Sequence, residues 1–531
     1  MASTPTTKSQ VQAYRFVLRR MESALVRKDA VMLHDPMGSH KRATVTGVIL
    51  AGIGMIGFLV WGLFSGKGTV PDPGSIVIAK ESGSVFVVTS DEAADKRLIP
   101  MMNMASARLL VMAQGGGAGG GPAQPTVVKE TALAEVPRGS LTGLVNAPTF
   151  LPDAKNQAKP SWAICDVGQV RGNLNESMIE GATEVHTTVI GGDDQHGTEL
   201  APGQSLFVRD ESSGQDYLVY RVDDPGRPNT ETVKAKVGSG ENTVRDVYGL
   251  RGATPRSIST NMLNAIPNAP DLTVPEVSGT GQSLDYMGGR YEAGDVVRRT
   301  VPGQPDQFFV LLSSGKQEIG EGAAAVLHAD KNGAQDIPNA TGAVTDAPQA
   351  EDADQLRVGQ FPIEVPEPVS FRESDTSCLS WNNLNGDHHI TVTLSKGSPT
   401  AKAPVELAQA DQAGPQVDFF YMPPGKAAVI RGASNEAGAD SGPIFLISDR
   451  GVQYGVKDAA TATGLGVVGS GRDIEAGPAW LLRTLPEGDF LDPAAANMTY
   501  DSVPVGPGVN RAAGDQPQQD QQQQTGGGSG S

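Results

Sequence analysis

One uninterrupted apolar run constrains this chain more than any other feature. Ala43 to Phe64 reads ATVTGVILAGIGMIGFLVWGLF, 22 residues without a charge. As a helix it would extend about 33 Å, against about 30 Å for the hydrocarbon core of a bilayer. The expectation is a single membrane-spanning helix. Two other readings fit less well. A helix buried in a globular core has no need of such length. A cleaved signal peptide would carry an unusually long lead, and the following SGKGTVPDPG lacks a small-x-small cleavage site. Trp61 suits an interfacial anchor near the outer end.

Charge brackets the same run. Residues 1 to 42 hold eight Lys/Arg and three Asp/Glu, a net of +5, which leaves −23 for the rest of a chain whose total is −18. Arg27, Lys28, Lys41 and Arg42 precede the run, and Lys67 is the lone nearby base after it. Basic flanks stay cytoplasmic, so the expected topology is single-pass. The N-terminus would be cytoplasmic and the large C-terminal part extracytoplasmic. Gly47, Ala51, Gly54 and Gly57 would let the helix pack closely against another. So acidic a chain does not take nucleic acid as its main partner.

Ahead of the apolar run lies SQVQAYRFVLRRMESALVRKDAVML, Ser9 to Leu33. Ser9 is placed to cap a helix. Tyr14, Val17, Leu18, Met21 and Leu25 recur at helical spacing, while Arg15, Arg19, Arg20, Glu22 and Arg27 stay polar. A basic amphipathic arm of this kind lies on anionic lipid or docks its stripe on a cytoplasmic partner. The residues choose neither.

After Pro71 short apolar runs alternate with turn residues, in keeping with 65 Gly and 37 Pro. SIVIAK and SVFVVTS read as strands of a hairpin, and GGGAGGG at Gly115 to Gly121 as a loop. Two later segments look like copies of one unit. At a constant offset Phe309 matches Phe445, Gly315 matches Gly451, Gln317 matches Gln453, and Ala323 and Ala324 match Ala459 and Ala460. The unit is strand, glycine turn, strand, short helix. The segment from Val85 to Leu110 follows the same plan more loosely. A second shared element aligns Leu263, Ile266, Pro267 and Leu272 with Leu482, Leu485, Pro486 and Leu491. Each reads as a short helix halted before proline with an extended exit. Repeats of this sort build broad side surfaces that serve assembly. The Gln/Gly-rich end cannot form a core.

Motifs that carry chemistry are missing. No GxxxxGK[ST] phosphate loop, HExxH, clustered Cys/His set or GxSxG elbow stands in the sequence. GVVGSGR at Gly466 to Arg472 reads as a turn. Asp193, Asp194 and His196 read as a solvated turn, and His388 and His389 alternate across a strand. No catalytic, cofactor-binding or metal residue is assigned. The two cysteines, Cys165 in WAICD and Cys378 in DTSCLSW, both fall on the side read as extracytoplasmic, where oxidation is permitted. One intramolecular disulfide is expected, with free buried thiols or an intermolecular bridge as the alternatives.

These residues carry a resemblance. QVQAYRFVLRRMESALVRKDAVMLHDPM at Gln10 to Met37 and SWAICD around Cys165 are followed by RSISTNMLNAIPNAPDL at Arg256 to Leu272. GVQYGVKD at Gly451 to Asp458 and LPEGDFLDPAAA at Leu485 to Ala496 complete the set. Together, over roughly residues 8 to 505, the chain resembles EccB, a membrane component of the type VII (ESX) secretion system of mycobacteria and related actinobacteria. The resemblance implies an inner (plasma) membrane protein with a repeat-built periplasmic or otherwise extracytoplasmic domain around a central domain. It also implies assembly with EccC, EccD and EccE and association with the mycosin protease. ATPase activity has been described in the family; no nucleotide motif here carries it over. The glycine loop, SDEAADKR in place of a glycine turn in the first repeat, and the Gln/Gly tail depart from the family pattern.

The expected fold is thus a single-pass transmembrane helix with an elongated α+β extracytoplasmic domain built from diverged β-rich repeats around a central domain. The expected order begins with the arm (1–42), the membrane helix (43–64), and a juxtamembrane region with the first repeat (65–160). A disulfide-side stretch with the second repeat (161–300) and a third repeat with linker (301–355) follow. A central β-rich region (356–433), a fourth repeat with the C-terminal element (434–505) and the tail (506–531) complete it. The expected function is a structural core subunit of a type VII protein secretion membrane complex. The alternatives are an envelope-anchored hydrolase acting on a nucleotide or cell-wall substrate, and an envelope binding module.

Overall fold

The computed structural model describes residues 7–28, 36–64, 69–91, 94–115, 121–170, 183–193, 197–210, 213–222, 231–384, 387–411, 414–433, 442–469 and 473–501. The chain divides into two compact units, residues 1–70 with 128–135, and residues 71–127 with 136–531.

The first unit holds two long helices, α1 (Lys8–Arg27) and α2 (Pro36–Phe64). Thr7, not Ser9, caps α1. Its hydroxyl accepts from the Gln10 amide at 3.4 Å, and the Gln10 side chain accepts from the Thr7 amide at 3.0 Å, a reciprocal capping box. Lys28 closes the helix in the left-handed region (φ 57°). The expected single-pass membrane helix is corrected at α2: among the described residues, no helix is long and apolar enough to cross a membrane. The expected single-pass topology and the localisation drawn from it fall with that helix.

In the second unit one β-rich module recurs. β1 (Ile76–Ala79), β2 (Val85–Asp91) and β3 (Ala94–Met101) are antiparallel; α3 (Met104–Ala113) leads on to β4 (Pro125–Val128), and the sheet order is β3-β2-β1-β4. α4 (Glu130–Leu133) falls in the first unit; in the second, β5 (Leu141–Thr142) is followed by the central strands β6 (Ser161–Val170), β7 (Thr183–Gly191) and β8 (Thr198–Glu199). The pattern returns in β9 (Gln204–Asp210), β10 (Asp216–Arg221), β11 (Thr232–Lys236), α5 (Asn242–Val247), β12 (Arg256–Ile258) and α6 (Thr260–Ala265), with order β11-β10-β9-β12 and β12 parallel to β9.

A third copy has β13 (Val296–Arg299), β14 (Gln307–Leu311), β15 (Lys316–Ile319), α7 (Glu321–Asn332) and α8 (Thr341–Asp346). Here one parallel bridge, Arg298 to Asn339, occupies the place of the fourth strand. β16 (Glu367–Pro368), β17 (Thr376–Leu384), β18 (Asp387–Ser395), β19 (Val405–Glu406) and β20 (Phe419–Tyr421) lead to the fourth copy. That copy comprises β21 (Ala427–Ala433), β22 (Ile444–Ser448), β23 (Gln453–Val456), α9 (Ala459–Gly464), β24 (Glu475–Pro478) and α10 (Ala479–Leu482), in order β23-β22-β21-β24. β25 (Thr499–Tyr500) ends the described chain against β5.

Local chemistry explains the module. Asn103, Ser259 and Asp458 lend side-chain oxygens to the N-termini of α3, α6 and α9. A proline closes each copy, because its ring forbids further helix. The extended exit then pairs with the third strand at a fixed place. Pro137, Pro267, Pro348 and Pro486 carbonyls accept from the amides of Leu98, Lys234, Lys316 and Gln453 at 2.8 to 3.0 Å. Two residues on, Gly139, Ala269, Ala350 and Gly488 donate back to the same four residues.

Between the second and fourth modules runs a seven-stranded sheet, β19-β20-β7-β6-β17-β18-β8. Its Trp162, Ile164, Val189, Leu379 and Trp381 share one core with Leu206 and Ile258 of the second module and Ile430 and Leu481 of the fourth. First and fourth modules share another, joining Ile76, Val87, Leu109 and Leu110 to Leu446, Tyr454 and Leu465.

Candidate functional site

The most constrained point of the central sheet lies where β6 is flanked by β7 and β17. Cys165 faces Cys378 in the β6–β17 register, and their sulfurs are bonded at 2.08 Å. Both are fully buried, with Ala163, Ile190 and Tyr421 around them.

The next residue, Asp166, is buried as deeply. Its carboxylate accepts from the Ser259 amide at 2.6 Å and from the Thr187 hydroxyl at 3.1 Å. Burial pushes its pKa up to about 6 despite those donors and the nearby Arg256. Arg256 stacks on Phe371, 4.0 Å from the ring centroid, and donates to the Val369 and Ser374 carbonyls. Asp166 thus ties β6 of the central sheet to the start of α6 in the second module. Nearby, the Asp418 carboxylate accepts from the Thr187 amide at 3.0 Å and lies 3.8 Å from the His186 ring.

A second set of buried polar groups recurs with the modules. The Lys234 ammonium donates to the Leu263 carbonyl, the Lys316 ammonium to those of Val344 and Thr345, and the Gln453 amide to those of Leu482 and Leu485. Each long side chain reaches under the third strand to carbonyls at the end of the helix before the proline. These are acceptors that a helix terminus leaves unpaired. Burial lowers the Lys234 pKa to about 8. Sequence patterning missed Asp166, Arg256, Lys234 and Lys316, because a charged residue in an alternating strand reads as solvent-facing.

The arm residues fall on one face of α1 and are open to solvent. Tyr14 is 67% exposed, Val17 51%, Leu18 48%, Met21 59% and Leu25 83%. Gly47, Ala51, Gly54 and Gly57 lie along α2, and a Cβ built at any of the three glycines meets nothing within 4 Å. Among the described residues no group of three or more His, Cys, Asp or Glu side chains is placed to hold a metal. Asp194 to His196, glycines 116–120 and the tail from 506 lie outside the described residues, as does the side chain of His388.

Comparison with known proteins follows this architecture. A family profile described as "Type VII secretion system ESX-1, transport TM domain B" matches residues 3–505. A Mycobacterium tuberculosis protein named "ESX-5 secretion system ATPase EccB5" is 28% identical over 517 residues, covering 94% of each chain. The Mycolicibacterium smegmatis "ESX-3 secretion system ATPase EccB3" is 26% identical, covering 95% of this chain and 93% of its own. Among solved structures, a chain of "an intact ESX-5 inner membrane complex" superposes with TM-score 0.63 at 24% identity, over 95% of this chain and 98% of that one. A chain of an "EccB3 dimer from the ESX-3 core complex" gives 0.63 at 22% identity, over 80% and 100%. At these identities the two superpositions establish the fold.

Proposed function

The chain belongs to the EccB family of type VII secretion systems, and from that premise we propose that it is a structural subunit of a type VII secretion membrane complex. The observation that carries this is the family match across residues 3–505, joined to relatives aligned over more than nine-tenths of both chains. The multimodule body supports the same reading. The first, second and fourth modules and the central sheet, joined through shared cores, present side surfaces on which neighbouring subunits can pack. The nearest components of such a machine are the partners we infer, namely EccC, EccD and EccE, with the mycosin protease associated.

The exposed stripe of α1 is proposed as an assembly arm. Replacing Val17, Leu18 and Met21 by Asp places charges wherever the stripe docks, at high cost, and leaves the second compact unit untouched. The function itself is tested by deletion. Loss of the chain should abolish export by its secretion system, and re-expression should restore it. Undiminished export from the deletion strain would refute the proposal.

A further inference from the structure

We propose that the third module (residues 277–361) is a hinged unit that swings away from the second at the contact between α5 and α7. Its buried apolar side chains form two cores of their own, one with members from Leu284 to Ala347 and one from Val296 to Val358. Val326 alone of the buried residues in the second module's core comes from the third, with Phe361 partly buried beside it. The first and fourth modules are joined otherwise, with Leu109, Leu110 and Val111 of one and Leu446, Ala462 and Leu465 of the other merged in a single core. Helix α7 shows how the third module is held. Ala323, Ala324 and Leu327 turn into its own core, whereas Gly322, Val326 and Asp330, four residues apart, run along another stripe. That stripe meets α5. The Tyr248 hydroxyl donates to the Gly322 carbonyl at 3.1 Å, and the Thr243 hydroxyl to the Asp330 carboxylate at 3.3 Å. The Tyr220 hydroxyl donates to the Gln360 carbonyl at 2.7 Å. Such a joint sets little apolar burial against opening. The chain crosses it twice. Leu272 is fixed to the second module, its amide donating to the Lys236 carbonyl at 2.9 Å, and the Glu367 amide donates to the Gly203 carbonyl at 3.0 Å. Between these anchors and the module run residues 273–276 and 362–366. Val277 at the entry and Phe361 at the exit both pack on the same core. Two short crossings that meet one core make a hinge. Swinging about it redirects the surface of the third module while the shared cores of the others stay closed. This inference goes beyond the proposed function and is measured on the purified chain alone, so either can fail without the other.

The two native cysteines are bonded to each other, so a single engineered cysteine gives the full-length chain one reactive thiol. Val326→Cys places it in the joint, Ala323→Cys in the third module's own core, and Ala462→Cys in the core of the first and fourth modules. All three native side chains are fully buried. Each variant is exposed to methyl methanethiosulfonate in native buffer, and modification is followed by mass spectrometry. Hinge opening should let Val326→Cys react at least about tenfold faster than either control. Its rate should barely change in low urea, because rotation exposes little surface compared with unfolding. Tyr248→Phe, added to each variant, removes the hydroxyl bond to Gly322 and should speed Val326→Cys alone, by about two- to tenfold. Val326→Cys reacting no faster than Ala462→Cys would show a joint as closed as the shared core. Val326→Cys and Ala323→Cys reacting at one rate would show a module that unfolds rather than swings. Either result would overturn the proposal, as would acceleration by Tyr248→Phe in all three variants or in none.

Discussion

Cys165 and Cys378 stand at one register position of two adjacent antiparallel strands, their Cα atoms 3.9 Å apart although 213 residues separate them in sequence. The bond therefore closes almost the whole span between the first central strand and its later partner. Neither thiol should be alkylated in denatured, unreduced protein, and both should be after reduction. The double variant Cys165→Ser/Cys378→Ser should lose about 2–5 kcal/mol in denaturant unfolding, the entropic limit for so long a loop being about 5 kcal/mol. An unchanged midpoint would show that the strand pairing needs no clamp.

Stability should carry the imprint of Asp166. Its folded pKa is raised to about 6 from an ordinary 3.8, so the folded chain binds this proton more tightly than the unfolded one. The contribution is fully present below about pH 4 and is lost as pH rises through about 6. Its ceiling is about 3 kcal/mol. The difference in unfolding free energy between the wild-type chain and Asp166→Asn, measured from pH 4 to 8, should change across that window and be level outside it. A difference level throughout would contradict the raised pKa.

How much of this was legible in the sequence depends on separation along the chain. The helix-proline element at Pro267 and Pro486 is contiguous, and its residues align as read. The repeated hairpin was read one residue out of step beyond its turn. Leu312 and Gly315 bracket a two-residue loop, whereas Ser448 and Val452 bracket three residues. Lys316, not Gln317, is therefore the structural counterpart of Gln453. The two glycines differ as well. Gly451 needs its positive φ of 80°, while a Cβ at Gly315 would stand 2.5 Å from the Pro348 carbonyl. The central sheet joins β6 to β17 across more than 200 residues, a pairing on which local periodicity is silent. Arg298 and Asn339, a single bridge in place of a strand, leave no pattern at all.

The recurring caps make their own prediction. Gln453→Leu leaves the Leu482 and Leu485 carbonyls without their donor, at a cost of about 1–3 kcal/mol. Lys316→Met should do likewise at Val344 and Thr345. Amide exchange at residues 482–488 should quicken in the first variant and near 345–350 in the second. Exchange unaltered in both would mean that the side chains fill space without holding the helix ends.

The relatives' names include ATPase, and this sequence offers no GxxxxGK[ST] loop to cradle phosphates. The purified chain should therefore not turn over ATP. Hydrolysis that survives stringent purification and vanishes with one point substitution in this chain would prove the opposite.

The central claim is membership of a secretion complex, and native purification tests it most directly. The tagged chain, extracted from membranes in mild detergent, should elute in one large particle with EccC, EccD and EccE, identified by mass spectrometry of that fraction. Recovery of the chain only on its own, at every detergent and salt condition that keeps the other components assembled, would contradict the account.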